Sequence, residues 1–223
     1  MTEPAARMSR WPALAALVGA TVSLVFSSWL RLDRHAFVLG YALVGGPFLV
    51  AYARLAGVRP LQQLRRRWQS GLVVGILLGG MLAHGVARQP ASARPEGLAL
   101  AGSVLWLGVV YGTLDALLLT IVPVLAVYGA RPPEEMRHGT IRLRWAGAAL
   151  LASLGVAAAY HLGFAEYRGA ALLQPLIGNA IVTLGYLLSG SPVAPLVAHV
   201  MMHLAAILHG METTPQLPPH YGF

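Results

Sequence analysis

Seven stretches of apolar residues, each about long enough to cross a membrane, follow one another along this chain. A helix rises about 1.5 Å per residue, so about 20 apolar residues span the roughly 30 Å of a bilayer's hydrocarbon core. The connections between the stretches are short. The pattern therefore predicts an all-α polytopic membrane helical bundle in one domain, residues 1–223, with helices over residues 11–31, 35–57, 70–87, 97–129, 143–164, 170–190 and 192–210.

Two of these stretches need a separate interpretation. The first follows a basic N-terminus, as in a signal peptide, but it has full span length and no clear small-residue cleavage site, so we interpret it as an uncleaved helix. The fourth, residues 97–129, is too long for one simple crossing. We expect it to tilt, to extend beyond the membrane, or to break near Gly112 or Pro123.

Composition supports the membrane assignment. The chain is 57% hydrophobic and 11% charged, whereas soluble domains average about 25% charged residues. Its net charge of +8 comes from 16 basic residues, all of them arginine, which lie between the apolar stretches. They therefore indicate membrane topology and not a nucleic-acid partner. The absence of cysteine excludes disulfides, thiolate catalysis and thiolate metal sites.

The arginines also predict an orientation. Eleven lie on the side of the N-terminus, and the opposite side carries Arg31, Arg34, Arg88, Arg94 and Arg168. Because positively charged loops stay in the cytoplasm, we expect a cytoplasmic N-terminus and, with seven spans, an external C-terminus. The prediction is a multi-pass protein of a bacterial or archaeal plasma membrane, surrounded by membrane lipid.

A few ionisable side chains lie inside the predicted helices, and four of them are candidates for one polar chamber. His199 and His203 are four residues apart, so they share one face of the last helix. Asp115 is the only acidic residue well inside an apolar stretch, and His161 lies near the end of the fifth helix. Each is costly in hydrocarbon unless it is paired or hydrated. We therefore expect all four to converge where the fourth, fifth and seventh helices meet.

A carboxylate with two or three imidazoles can activate a water, bind a divalent metal or relay protons. Structural roles remain open as well. His199 and His203 could bond to neighbouring backbone or to each other, His161 could lie at the interface, and Asp115 could bond to hydroxyls of its own helix. The residues with expected structural roles are Thr113, Thr120 and Tyr111 as partners of Asp115, His84 and His209 at the membrane interface, and Asn179 as an interhelical hydrogen-bonding group.

Two segments in the last half of the chain resemble motifs of the CPBP family, the Abi-like group of CAAX proteases and bacteriocin-processing intramembrane proteases. GVAAAYHLGF resembles the second motif through His161, and GNAIVTLGYLLSGSPVAPLVAHVMMHLAAI resembles the third. In the third motif, HxxxN or HxxxD, His199 takes the histidine position and His203 the position of the Asn or Asp. The resemblance covers about residues 105–210, after the first-half helices of residues 11–87.

The first motif of that family, EExxxR, has no exact counterpart in this chain. Glu134 and Glu135 form an acidic pair, but Gly139 stands where the arginine belongs, and the pair lies in a predicted loop. Asp115 lies within a span and is followed by the run Ala-Leu-Leu-Leu, although it has neither a second acid nor the arginine. We prefer Asp115, because the site must lie at membrane depth to meet His161.

The resemblance implies a glutamic-type intramembrane endopeptidase that acts on a membrane-associated peptide without a cofactor. Asp115 would replace the glutamate and deprotonate water, assisted by His161, while His199 and His203 would orient that water or donate to the oxyanion. Two alternatives stay open. One is a non-catalytic protein of the same fold with an immunity or scaffold role, and the other is a metal-dependent enzyme that holds zinc through Asp115, His161, His199 and His203.

Overall fold

The computed structural model describes residues 8, 10–129, 139–212 and 214–218. Within these ranges all regular structure is helical, which confirms the predicted all-α bundle. A short helix, Pro60–Arg65, connects the second and third long helices. The long helices are α1 (Trp11–Trp29), α2 (Arg34–Leu55), α3 (Trp68–Ala87), α4 (Gly97–Gly129), α5 (Gly139–His161), α6 (Leu173–Ser189) and α7 (Val193–His209).

The helices from α1 to α6 are long and apolar enough to cross a membrane, with the turn before α6 counted in its span of Ala170–Ser189. The seventh predicted span, α7, is apolar but shorter, with 17 residues and a length of about 26 Å. The chain is therefore a multi-pass membrane protein. Its orientation and its host membrane stay predictions, and three of the arginines used for them, Arg7, Arg131 and Arg137, lie outside the described residues.

Helix α4 is the central helix of the bundle. In its most apolar window 72% of the residues are buried, against 22–28% in the other five spans. Of the three alternatives for this long stretch, a break near Gly112 or Pro123 is not present, because the helix is continuous through both residues. Two π-helical segments, Val104–Val110 and Ala116–Ile121, instead flank the single α-helical stretch that contains Asp115. Such wide turns often occur at functional sites.

Helix α7 packs against a row of glycines on α3. Gly71, Gly75 and Gly79 recur every four residues and face α7. A Cβ added at Gly75 would lie 2.8 Å from the Cβ of Val197 and 2.9 Å from the carbonyl oxygen of Ala194. Only glycine allows this approach, because a side chain at residue 75 would overlap both the Val197 side chain and the backbone of Ala194.

Helix α4 holds α7 from another side in the same way. A Cβ added at Gly112 would lie 3.0 Å from Cδ2 of His203 and 3.1 Å from Cα of Val200, and Gly108 packs against Leu204. Helix α7 is thus held between α3 and α4 by close contacts on both. These contacts determine the position of the two histidines that α7 carries.

A fully hydrogen-bonded polar cluster connects α4, α5 and α6. The side-chain amide of Asn179 donates to Ser153 Oγ at 2.9 Å and accepts from Thr120 Oγ1 at 3.1 Å. Ser153 in turn bonds to the carbonyl oxygen of Leu119 at 2.7 Å and to Thr183 Oγ1 at 2.8 Å. The prediction that Asn179 hydrogen-bonds between helices is confirmed.

Local signals explain where the helices begin and end. The Asp33 carboxylate accepts the backbone N–H groups of His35 and Ala36 at 2.9 and 3.0 Å, which caps the start of α2. Helix α6 ends at Gly190, whose φ of 64° is the left-handed conformation that favours glycine. Pro192 then precedes α7. The resulting tight turn makes α6 and α7 antiparallel neighbours.

Replacing Gly75 by alanine tests the α3–α7 contact. The new methyl group must displace Val197 or the Ala194 carbonyl, so we expect the free energy of unfolding in detergent to fall by about 1–3 kcal/mol. Gly80 lies on the same helix with no neighbouring atom within 4 Å of its added Cβ. Gly80→Ala is therefore the matched control and should stay within about 0.5 kcal/mol of wild type. Equal losses in both variants would contradict the close approach.

Replacing Asn179 by leucine tests the polar cluster. The substitution keeps the volume but removes the donor to Ser153 and the acceptor for Thr120, so the unfolding free energy should fall by about 1–3 kcal/mol. Gln69→Leu, at an exposed position of α3, controls for polarity lost at the surface. A stable Asn179→Leu protein would mean that the cluster does not hold the helices together.

Candidate functional site

Asp115, His161, His199 and His203 line one cavity of about 310 Å³ within the bundle. They come from α4, α5 and α7, the three helices on which the sequence places them. The structure therefore brings together all four side chains of the predicted chamber, while their catalytic role stays a prediction. Further polar residues in the cavity wall are Gln89, Tyr111, Tyr167, Gln174, Asn179 and Gln216.

Asp115 and His203 form the buried pair at the base of this site. Asp115 Oδ2 lies 3.5 Å from His203 Nε2, and the two residues are 4% and 1% exposed. This separation suits an ion pair but exceeds the usual length of a hydrogen bond. Asp115 Oδ1 and both ring nitrogens of His203 make no hydrogen bond to any described residue. Buried polar atoms without a hydrogen bond lower the stability of a folded protein and are therefore rare.

His199 and His161 share a different arrangement. Nδ1–H of His199 donates to the carbonyl oxygen of Pro195 at 3.1 Å, and Nδ1–H of His161 donates to that of Ala157 at 2.8 Å. Because a carbonyl oxygen can only accept, each bond fixes the tautomer and leaves Nε2 as a hydrogen-bond acceptor. The hydrogen bond to neighbouring backbone that we considered as a structural role is thus present for His199. The rings of His199 and His203 lie 6.4 Å apart and do not bond to each other.

Three buried tyrosines lie around the carboxylate. The hydroxyls of Tyr111 and Tyr160 share a hydrogen bond of 3.0 Å, and the Tyr41 hydroxyl lies 3.4 Å from the carbonyl oxygen of Leu114. All three tyrosines interact electrostatically with Asp115. The sequence did not reveal Tyr41 and Tyr160, because an isolated tyrosine in a span does not show which way it faces.

The expected hydroxyl partners of Asp115 are mostly engaged elsewhere. Thr120 donates to Asn179, and Thr113 lines a separate apolar groove. The prediction that either threonine binds the carboxylate is therefore wrong, because neither side chain is hydrogen-bonded to Asp115. Tyr111, the third expected partner, does face the carboxylate, with its ring 4.7 Å from that of His203.

Two glutamines are further site residues that the sequence did not reveal. Oε1 of Gln89 and Oε1 of Gln216 are buried in the cavity wall without a hydrogen bond to the described part of the chain. Gln89 follows α3 and Gln216 belongs to the segment after α7. The proline content of that segment favours a non-helical tail outside the membrane. It is non-helical, but it also forms part of the cavity wall.

His84 and His209 do not line the cavity. His84 is exposed on α3, and His209 donates from Nε2 to the carbonyl oxygen of Gln89 at 2.7 Å. Both lie near helix ends, as expected. The acidic pair Glu134 and Glu135 lies outside the described residues.

The described ranges contain no preformed set of ligands for the zinc ion of the metal-dependent alternative. Within residues 10–129 and 139–212 no three His, Asp or Glu side chains lie close enough together to hold one metal ion. Binding of zinc by Asp115, His161, His199 and His203 would therefore require these side chains to move. Its presence stays a prediction for metal analysis.

Comparisons of the chain with protein-family models, with curated proteins and with solved structures found no match in any of the three. The resemblance to CPBP proteases therefore stays a prediction from the motifs around His161 and His199.

A double-mutant cycle between Asp115 and His203 tests whether the pair is energetically coupled. His203→Ala leaves the carboxylate buried without its counter-group, so we expect the unfolding free energy to fall by about 3 kcal/mol. In an Asp115→Asn background, the same substitution should lower the unfolding free energy by at least about 1 kcal/mol less, because the carboxylate charge is already absent. His84→Ala serves as the control and should cost little. Strict additivity would show that the two side chains are independent.

Proposed function

We propose that this protein is an intramembrane hydrolase that cleaves a peptide bond of a membrane-associated substrate. The observation that carries the proposal is the convergence of one buried carboxylate and three imidazoles on a single cavity between membrane-spanning helices. Its volume of about 310 Å³ lies at the lower end of the range for small-ligand sites. Such a group of side chains is suited to general acid–base chemistry.

The contrast between the two polar clusters favours catalysis over a purely structural role. Around Asn179 each donor has a partner, as a structural cluster requires. Around Asp115, by contrast, the Oδ1 atom and both nitrogens of His203 have none among the described residues. Each such atom costs about 1–3 kcal/mol. A site whose hydrogen bonds are completed by water and substrate accounts for this cost.

The proposed reaction begins with Asp115 as the base. Its carboxylate accepts a proton from water, and the oxygen of that water bonds to the carbonyl carbon of the substrate. His203, 3.5 Å from Asp115, balances the charge of the carboxylate and donates to the developing oxyanion. Nε2 of His199 or Nε2 of His161 accepts the second hydrogen of the water and so orients it.

The second half of the reaction returns the proton. As the C–N bond breaks, the proton moves from Asp115 to the departing nitrogen, so the products are one carboxylic acid and one amine. No redox partner or cofactor is needed. The resemblance of His161 and His199 to the CPBP motifs supports the same chemistry, with Asp115 in place of the family's glutamate.

Sequencing of protein N-termini in membrane fractions tests this function. Cells that produce the wild-type protein should contain new N-termini in membrane-associated proteins, and Asp115→Asn or His199→Ala should reduce their yield by about 100-fold or more, since general acid–base residues contribute rate factors of that size. His84→Ala removes an exposed imidazole and should leave the yield unchanged.

Two outcomes would contradict the proposal. Identical N-termini in cells with wild-type and folded Asp115→Asn protein would indicate a non-catalytic membrane protein with an immunity or scaffold role. Stoichiometric zinc in the purified protein that is lost in His199→Ala would indicate the metal-dependent alternative, because the proposed reaction needs no metal.

A further inference from the structure

Two adjoining cavities lie at the end of the bundle where α1 begins and where α2 and α4 end. The first has a volume of about 660 Å³, and the second is the apolar groove that contains Thr113, with about 370 Å³. Val58, Gln63 and Leu125 line both, so the two cavities are neighbours that share a wall. Neither contains a residue of the Asp115 cavity, and the proposed reaction therefore leaves both without a role.

The first cavity is positively charged, and we name it the basic cavity. Arg66 is its one charged side chain among the described residues, and its guanidinium forms no ion pair or hydrogen bond with any of them. The described charged residues at this end are all arginine: Arg10, Arg54, Arg59, Arg65, Arg66, Arg67, Arg142 and Arg144. Outside the membrane core, the described acidic residues all lie in the connections at the other end: Asp33, Glu96, Glu166 and Glu212. The basic cavity is therefore complementary to an anion.

Tyrosine hydroxyls lie between the basic cavity and the apolar groove. Tyr128 lines the cavity and Tyr52 lines the groove, and both interact electrostatically with Tyr186, as Arg66 does. The ring of Tyr52 also packs edge-on against Trp11 of the basic cavity, with 5.1 Å between the ring centroids. Tyr52 is 3% exposed, and its hydroxyl has no hydrogen bond within the described part of the chain. Such a buried donor lowers stability unless a ligand accepts its hydrogen bond.

The apolar groove is about as long as one leaflet of a bilayer is thick. Its wall on α4 is a stripe at four-residue spacing, Thr113, Leu117, Ile121 and Leu125. The stripe is about 18 Å long, against about 15 Å for half of the hydrocarbon core. Val50 of α2 lines the groove and is 51% exposed, so the groove opens at the surface of the bundle. An acyl chain fits a groove of this length and polarity.

We propose that the basic cavity and the apolar groove together bind one anionic phospholipid, with its phosphate beside Arg66 and one acyl chain along the α4 stripe. The guanidinium donates to a phosphate oxygen, which is the ligand that arginine geometry suits. The Tyr52 hydroxyl donates to an ester oxygen where the chain enters the groove. Because the charges described at this end are all positive, a headgroup that carries its own cation is disfavoured. The proposal does not depend on the proposed function.

Native mass spectrometry of the full-length protein in detergent tests this site with three ligands. Phosphatidylglycerol and phosphatidylcholine with the same acyl chains differ only in the headgroup, and glycerol 3-phosphate offers the phosphate without chains. We expect a one-to-one adduct with phosphatidylglycerol that is at least about tenfold tighter than that with phosphatidylcholine. Glycerol 3-phosphate should not bind at the same concentration. Asp115→Asn protein should bind the lipid equally well, which separates this test from catalysis.

Substitutions at the headgroup and the chain should act differently. Arg66→Gln should weaken binding of phosphatidylglycerol about tenfold and remove the preference over phosphatidylcholine, since a charge-assisted hydrogen bond is lost. Arg65→Gln removes the same charge at the adjacent exposed position, which lines neither cavity, and should change the affinity less than about twofold.

Tyr52→Phe should weaken both lipids about threefold through the lost hydrogen bond. Ala53→Trp, in the groove wall, should weaken both about tenfold, because its side chain occupies the path of the acyl chain. Leu43→Trp, at an exposed position of α2 outside the groove, is the matched control and should leave both affinities unchanged.

Three results would overturn the proposal. Equal affinities of the wild-type protein for the two lipids would mean that Arg66 does not select the headgroup. Equal losses in Arg66→Gln and Arg65→Gln would indicate general attraction to a basic surface. Glycerol 3-phosphate that binds as tightly as the lipid would indicate a site for free phosphate. Should Ala53→Trp fail to fold, unchanged lipid affinity in Tyr52→Phe would exclude the groove from the site.

Discussion

The free-energy cost of an ionisable side chain in hydrocarbon is the constraint on which this structure depends. A carboxylate or an imidazole that faces lipid would cost several kcal/mol, so these groups must face each other or water. The bundle meets the constraint by burying α4 at its centre and by packing α7 closely against it. Glycines on α3 and α4 let the backbone of α7 approach on both sides, and this approach carries His199 and His203 to Asp115.

Two polar clusters lie next to each other in this core, and they differ in how many of their buried polar atoms are hydrogen-bonded. The Asn179 cluster is complete, and it joins α4, α5 and α6 into a fixed framework. The Asp115 cluster is incomplete, because several of its buried atoms lack hydrogen bonds within the described structure. A rigid, satisfied cluster beside an unsatisfied one is the arrangement expected of a preorganised site, in which the framework holds reactive groups whose hydrogen bonds the reactants complete.

Hydrophobic patterning predicted most of the fold and part of the site, for a simple physical reason. Spans must be long and apolar, so their number and approximate limits can be read from the chain, and a costly residue such as Asp115 stands out within them. The pattern does not record how a helix adapts locally. The continuity of α4 through Gly112 and its π-helical segments therefore could not be foreseen. Tyr41 and Gln216 were missed because tyrosine and glutamine are also common at membrane interfaces and in loops.

The sequence by itself determined that this is a multi-pass helical membrane protein and that Asp115, His161, His199 and His203 had to be shielded from lipid. Only the tertiary structure decided that they share one cavity, that Asp115 pairs with His203, and that the segment after α7 forms part of the cavity wall. The reason is that the free-energy cost of placing an ionisable side chain in hydrocarbon depends only on that residue and its position in its span. The choice of partners depends instead on contacts between helices far apart in the chain, such as the close approach of α7 to Gly75 and Gly112.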